Sequence, residues 1–210
     1  MEHLHEAGGL NAVLREIRPH LAVDAMTVSG QSLDANIDTG EIVRGQSVVR
    51  SRETPIAPSG GIAVLNGNLA PRGAIIKHSA ATPSLLRHSG RAVVFDSVED
   101  MSDRIDDPDL DVTAEDVLVL RNAGPKGAPG MPEAGYIPIP KKLATQGVKD
   151  MVRISDARMS GTAFGTIVLH ITPESWGGGP LALVRDGDRI ELDVPNRRIT
   201  LDVSEEELAE

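Results

Sequence analysis

The spacing of apolar residues changes along this chain. Near the start, Leu10, Val13, Leu14 and Ile17 follow an i, i+3, i+4, i+7 pattern, with Gly8-Gly9 before them and Pro19 after. That spacing predicts an amphipathic helix that Pro19 stops. From Thr27 to Arg52 the pattern weakens to a helical turn around Ser32–Ile37 and a Gly-broken strand around Ile42–Val49. Beyond residue 60, short β-branched or apolar runs dominate: Gly61–Leu65, Ala74–Lys77, Ala92–Phe95, Val117–Leu120, Met151–Ser155, Thr166–Ile171 and Leu181–Arg185. Each is bounded by Gly, Pro, Asn or Asp, the punctuation of strands. Arg189–Val194 and Arg198–Val203 alternate apolar and polar residues across Pro195-Asn196, which predicts a terminal hairpin. Between strands, helices are expected from Ser97, where Ser97 and Asp100 resemble a capping box, over Pro138–Gln146, and from Ser204 with Glu207 three residues on.

About nine short strands with few helices predict a mainly β fold with flanking helices (α+β), a closed or nearly closed barrel. A doubly wound sheet needs a helix after nearly every strand, and those helices are missing. Leu65, Ile75, Val93, Val119, Ile154 and Val168 are the expected core positions. The expected division is a helical lead-in over residues 1–24 and a barrel domain over residues 25–210.

Composition narrows the function. The chain has 210 residues with a net charge of −10, from 21 Lys+Arg against 31 Asp+Glu, which argues against a nucleic-acid or acidic-membrane partner. No apolar run is long enough to span a membrane, and Met1–His5 has no signal-peptide character, so a cytoplasmic protein is expected. There is no cysteine, hence no disulfide, no thiolate zinc site and no cysteine-held cluster in this chain.

Two segments are too irregular to be plain connectors. Residues 124–132 hold three glycines and three prolines, a backbone that is neither helix nor sheet, and lead into Glu133. A rigid loop of this kind can hold one carboxylate in place, and a hard carboxylate suits Mg²⁺. The same composition also suits a tight turn with a solvated Glu. Lys126 in this loop is a weaker anion-binding candidate. The second segment is Ile154–Thr162, in which Ser160 follows an apolar strand beside Gly161. A serine acting as base or nucleophile needs help, because its alcohol proton is held tightly at neutral pH. No Gly-x-Ser-x-Gly elbow is present, so help has to come from a nearby positive centre. A turn serine bonded to local backbone is the plainer alternative. Asp156 and Arg158 are placed to pair with each other, and Lys77 and Ser79, at a strand end, are placed to reach a carboxylate.

In this order, Gly67-Asn68-Leu69-Ala70-Pro71, Gly124–Glu133, Asp156–Thr162 and His170-Ile171-Thr172-Pro173-Glu174 resemble the C-terminal domain of the dihydroxy-acid, sugar-acid and 6-phosphogluconate dehydratase family. The resemblance covers essentially the whole chain, including His5–Gly9. Ala157 and Met159, with Ile137-Pro138-Ile139-Pro140 upstream, look most like the sugar-acid branch; branched-chain dihydroxy-acid dehydratases and 6-phosphogluconate dehydratase are the alternatives. The resemblance implies a barrel like the swivel domain of aconitase. It also implies a reaction that converts a 2,3-dihydroxy acid to a 2-keto-3-deoxy acid. Glu133 is then a Mg²⁺ ligand, Ser160 an alkoxide base stabilised by the metal centre, and Thr162 its orienting neighbour. Beside these, Lys77, Ser79 and Arg158 are candidate substrate contacts from their own positions in the chain. The resemblance further implies a separate N-terminal domain with an iron–sulfur cluster (2Fe-2S or 4Fe-4S), a small sugar-acid substrate, and a homodimer or homotetramer at full length. This chain alone is then inactive. A stand-alone barrel that binds small acids, or serves in assembly, is the reading outside enzymology.

Overall fold

The computed structural model describes residues 1–40, 42–204 and 206–207. Two compact units divide at Gly60/Gly61, where the sequence pattern placed the boundary at residue 24. In the first unit, α1 (Glu2–Glu6) and α2 (Gly9–Ile17) precede α3 (Leu33–Asp38). Ser32 caps α3 by accepting from the Ala35 N–H at 3.2 Å. Arg18, just after α2, pairs with both Asp34 (2.6 Å) and Asp38 (2.9 Å) on α3. This tie explains why residues 25–40 group with α2. The expected strand around Ile42–Val49 does not form: Gln46 instead closes a local turn, its side-chain oxygen accepting from Val48 and Val49 N–H.

The second unit is a closed eight-stranded barrel: β1 (Ala63–Gly67), β2 (Ala70–Ile76), β3 (Arg87–Phe95), β4 (Val117–Leu120), β5 (Arg153–Ser155), β6 (Ile167–Leu169), β7 (Arg189–Asp193) and β8 (Arg198–Leu201). Around the barrel the order is β1-β2-β6-β5-β4-β3-β7-β8. Strands β3 to β6 pair in parallel, and β1–β2, β2–β6, β3–β7 and β7–β8 pair antiparallel.

Patterning follows from that arrangement. Antiparallel β7 and β8 alternate buried and exposed residues, whereas all four residues of β4 are buried. Parallel strands here are covered on both faces. Val117 and Val119 point into the barrel with Ala92, Val94, Ile154 and Val168. Leu118 and Leu120 point outward, into a second core with Phe95, Met101 of α4 (Val98–Arg104) and Leu143 of α5 (Lys141–Ala144). Ser97 caps α4 through the Asp100 N–H, as expected.

Four further expectations are corrected. Leu181–Arg185 is not a ninth strand; Pro180 opens a 3₁₀ turn over Pro180–Leu183, because its fixed φ favours a turn start and it lacks a ladder donor. The helix expected over Pro138–Gln146 is the single turn α5, since Pro140 sits at its N-cap. Ile75 is not core: the alternation along β2 buries Ile76 and leaves Ile75 38% exposed beside Val64 of β1. Asp156 and Arg158 do not pair, as described below. The helix expected from Ser204 runs mostly outside the described residues, although Ser204 and Glu207 do exchange capping hydrogen bonds.

Closure between β1 and β8 is narrow, with one paired position, Asn66 and Arg198. Asn68 completes it: its amide nitrogen donates to the Leu201 carbonyl at 2.7 Å and its oxygen accepts the Leu201 N–H at 2.8 Å. Gly67 lies at the same seam with φ +157, where an added Cβ would sit 1.8 Å from the Ile199 carbonyl oxygen. We expect Asn68→Ala to leave both Leu201 backbone groups unpaired and to lower stability by about 2 kcal/mol. Chemical denaturation should register this as a lower midpoint with an unchanged slope.

Asp150 braces the opposite side. Its carboxylate accepts from Thr82 and Thr166, backbone and hydroxyl alike, and pairs with buried Arg153 at 2.7 Å. Burial opposes its ionisation, but the hydrogen bonds from Thr82 and Thr166 and the Arg153 charge outweigh burial, so its pKa lies below the usual value. A depressed carboxyl stabilises the fold above its unfolded-state pKa of about 4 and loses that contribution as pH falls through the folded-state value. Thermal melts should therefore show stability dropping below about pH 4, and Asp150→Asn should be less stable at pH 7 with a shallower acid slope.

Candidate active site

The site lies where parallel strands end. After β4 the chain enters the Gly/Pro loop that leads to Glu133; after β5 it turns through Asp156–Thr162; after β6 it passes through His170–Glu174. These three segments, each singled out in the sequence, are tied together. Asp156, 1% exposed, accepts from the Ala123 N–H (3.0 Å), the Ser175 N–H (2.9 Å) and the Ser175 hydroxyl. Ser175 Oγ in turn accepts the Asn122 N–H at 2.6 Å. Glu174 turns its carboxylate into the Gly/Pro loop and accepts from the Lys126 N–H at 2.8 Å and the Gly127 N–H at 3.3 Å. Consecutive N–H groups in a turn form a concavity for an anion, and here the chain's own Glu174 occupies it. Lys126 thus contributes its backbone to the loop.

Glu133, Tyr136, Ser160, Thr162, Ala163 and Phe164 line one cavity of about 240 Å³. Ser160 Oγ lies 3.0 Å from Thr162 Oγ1, and the Thr162 N–H points at Ser160 Oγ at 3.4 Å. Lys77 donates from Nζ to the Gly161 carbonyl at 2.7 Å, which pins the turn carrying Ser160. The Arg158 guanidinium pairs with Glu133 Oε1 at 2.9 Å, and both side chains are half-exposed.

The structure therefore brings Ser160, Thr162 and Glu133 to one cavity. Lys77 and Arg158 are adjacent to it and committed to protein partners, Gly161 and Glu133. Ser79, in an exposed 3₁₀ turn, does not line it. Tyr136 and Phe164 were not anticipated. Two of the chain's four aromatic side chains line this cavity, with 42% and 65% exposure. The scarcity of aromatics was the available signal. Tyr136 is steadied by Arg153, whose guanidinium carbon lies 5.3 Å from the ring centre.

As for a metal, Glu133 offers hard oxygen, and among the described residues its Oε2 accepts no hydrogen bond. That chemistry fits Mg²⁺. Among the described residues no group of three or more His, Asp or Glu could enclose an ion, so Glu133 fits as one ligand of several. Without cysteine, the chain's residues do not fit an iron–sulfur cluster. No helix among the described residues is long and apolar enough to cross a membrane.

The chain matches a known family over most of its length. Residues 47–210 match the family model described as dihydroxy-acid/6-phosphogluconate dehydratase, C-terminal. Over its full length the chain is 51% identical to an L-arabinonate dehydratase of Rhizobium leguminosarum bv. trifolii and 52% identical to a 6-deoxy-6-sulfo-D-gluconate dehydratase of Pseudomonas putida, spanning 36% of each. It is 43% identical over 99% of its length to a dihydroxy-acid dehydratase of Caldanaerobacter subterraneus subsp. tengcongensis, spanning 37% of that protein. The co-linear motifs, the barrel and these matches together show that the chain belongs to the dihydroxy-acid/6-phosphogluconate dehydratase family, within its C-terminal domain.

Proposed function

We propose that this chain forms part of a hydro-lyase that dehydrates a sugar acid to a 2-keto-3-deoxy acid, with Ser160 as the base. The observation that carries the reading is the shared cavity of Ser160, Thr162 and Glu133. The higher identity to sugar-acid dehydratases than to dihydroxy-acid dehydratases favours a polyhydroxylated substrate. The reaction breaks the C2–H and C3–O bonds, forms a C2=C3 double bond and releases the proton and hydroxyl as water, leaving an enol that tautomerises to the keto acid.

Ser160 Oγ takes the C2 proton. The Thr162 N–H, directed at that oxygen, favours its anionic form, and the Thr162 hydroxyl fixes its orientation. Lys77 keeps the turn in register by holding the Gly161 carbonyl. Tyr136 and Phe164 wall the cavity and offer an apolar surface to one side of the substrate. Glu133 is the residue that would hold Mg²⁺, whose positive charge makes neighbouring oxygens more acidic. The partner of this domain is, in this reading, a domain that carries the cluster.

The test uses a full-length enzyme that contains this chain. Ser160→Ala should reduce kcat by at least about 10²–10⁴-fold with substrate binding nearly intact. Glu133→Gln should instead raise the Mg²⁺ requirement, and excess Mg²⁺ should restore part of the rate. Near-normal turnover by Ser160→Ala, or its rescue by Mg²⁺, would overturn the assignment of the base.

A further inference from the structure

Residue 158 touches the Glu133 loop at three alternate positions. Arg158 Nε donates to the Met131 carbonyl at 2.7 Å, and Nη1 donates to Glu133 Oε1 at 2.9 Å. The carbonyl of the same residue accepts the Gly135 N–H at 2.8 Å. The backbone is therefore gripped on both sides of Glu133 as well as at its carboxylate. Two further features show that this contact is built into the chain. Gly135 permits the approach: a Cβ there would lie 2.8 Å from the Arg158 carbonyl oxygen and 2.3 Å from Leu169 Cδ2. Met131 has φ +46, a left-handed conformation that a methionine adopts at a cost. The Arg158 bond to its carbonyl offsets that cost. Ser160 lies only two residues beyond Arg158.

We propose that Arg158 is a positioning residue that sets Glu133 at a fixed separation from Ser160 and leaves Glu133 Oε2 to face the cavity. The inference rests on the reading of Glu133 and Ser160 given above. Guanidinium suits the task because its planar fork reaches a carbonyl and a carboxylate at once, which a lysine ammonium does less well. Groups that orient a metal ligand from behind change metal affinity without touching the metal. Since the Arg158–Glu133 pair is half-exposed, its loss should barely change global stability. Local and global effects can therefore be separated.

Two measurements test it. In the 210-residue chain, hydrogen–deuterium exchange should show the amides of residues 131–135 exchanging at least about tenfold faster in Arg158→Met, with β4 amides unchanged and Arg158→Lys intermediate. In a full-length enzyme containing the chain, Arg158→Met should raise the Mg²⁺ concentration for half-maximal rate by about 10–100-fold, leaving KM for the sugar acid little changed. In the Glu133→Gln background the same substitution should add almost nothing. Three results would overturn the proposal. Unchanged loop exchange would show that the side chain does not hold the loop. A lowered Mg²⁺ requirement would mean that the guanidinium competes for the carboxylate. A raised KM with an unchanged Mg²⁺ requirement would make Arg158 a substrate contact. Failure of the base and ligand assignments themselves would appear separately, as normal turnover in Ser160→Ala and Glu133→Gln, and would leave the exchange result standing.

Discussion

The buried Asp156 carboxylate is the contact on which the site's geometry depends. It sits at the end of β5 and collects three donors, one from the loop after β4 and two from the segment after β6. An unpaired carboxylate at this depth would be costly, so the surrounding loops must bring N–H and O–H groups to it. The consequence reaches along the chain. The Ser175 N–H and Ala123 N–H are drawn to one point, Glu174 is thereby placed under the Gly/Pro loop, and that loop ends in Glu133. The segment that begins with Asp156 also carries Arg158 and Ser160. A single buried acceptor thus sets the relative positions of both candidate catalytic loops.

The barrel supplies what this arrangement requires. Strands β3 to β6 are parallel neighbours, so the loops that leave β4, β5 and β6 emerge at the same end and can meet. Side chains packed on both faces of β4, barrel core within and the α4–α5 layer without, hold the strand ends rigidly. A site carried on loops gains its precision from a scaffold of this kind.

Much of the fold was legible because burial on both faces leaves a plain mark. Val117–Leu120 is a continuous apolar run and forms a strand over the same four residues, while Arg189–Asp193 alternates as a half-exposed strand must. Leu181–Arg185 misled because an apolar run after Pro180 serves equally well as a buried 3₁₀ turn, and periodicity cannot separate the two over five residues. Ile75 was misplaced because Ile75 and Ile76 are both apolar, and only the pairing register decides which one points inward. In the site, Ser160 and Glu133 were marked by their irregular surroundings, and Thr162 by the family resemblance alone. The partners of Asp156 and Arg158 were not. Residues two apart at a strand end invite a local pair, whereas each finds its partners 19 to 33 residues away in other loops, and only the folded chain brings those together.

Hydrogen–deuterium exchange of an Asp156→Asn chain tests this account most directly. The amide replaces a carboxylate that accepts from three donors with a group offering one neutral acceptor oxygen and an N–H₂ that faces other donors. The account predicts rapid exchange at Ala123 and Ser175 and faster exchange through residues 124–135, while the β4 amides of residues 118–120 keep most of their protection. Unchanged protection at Ala123 and Ser175 would contradict it, and so would a loss spread evenly over the barrel.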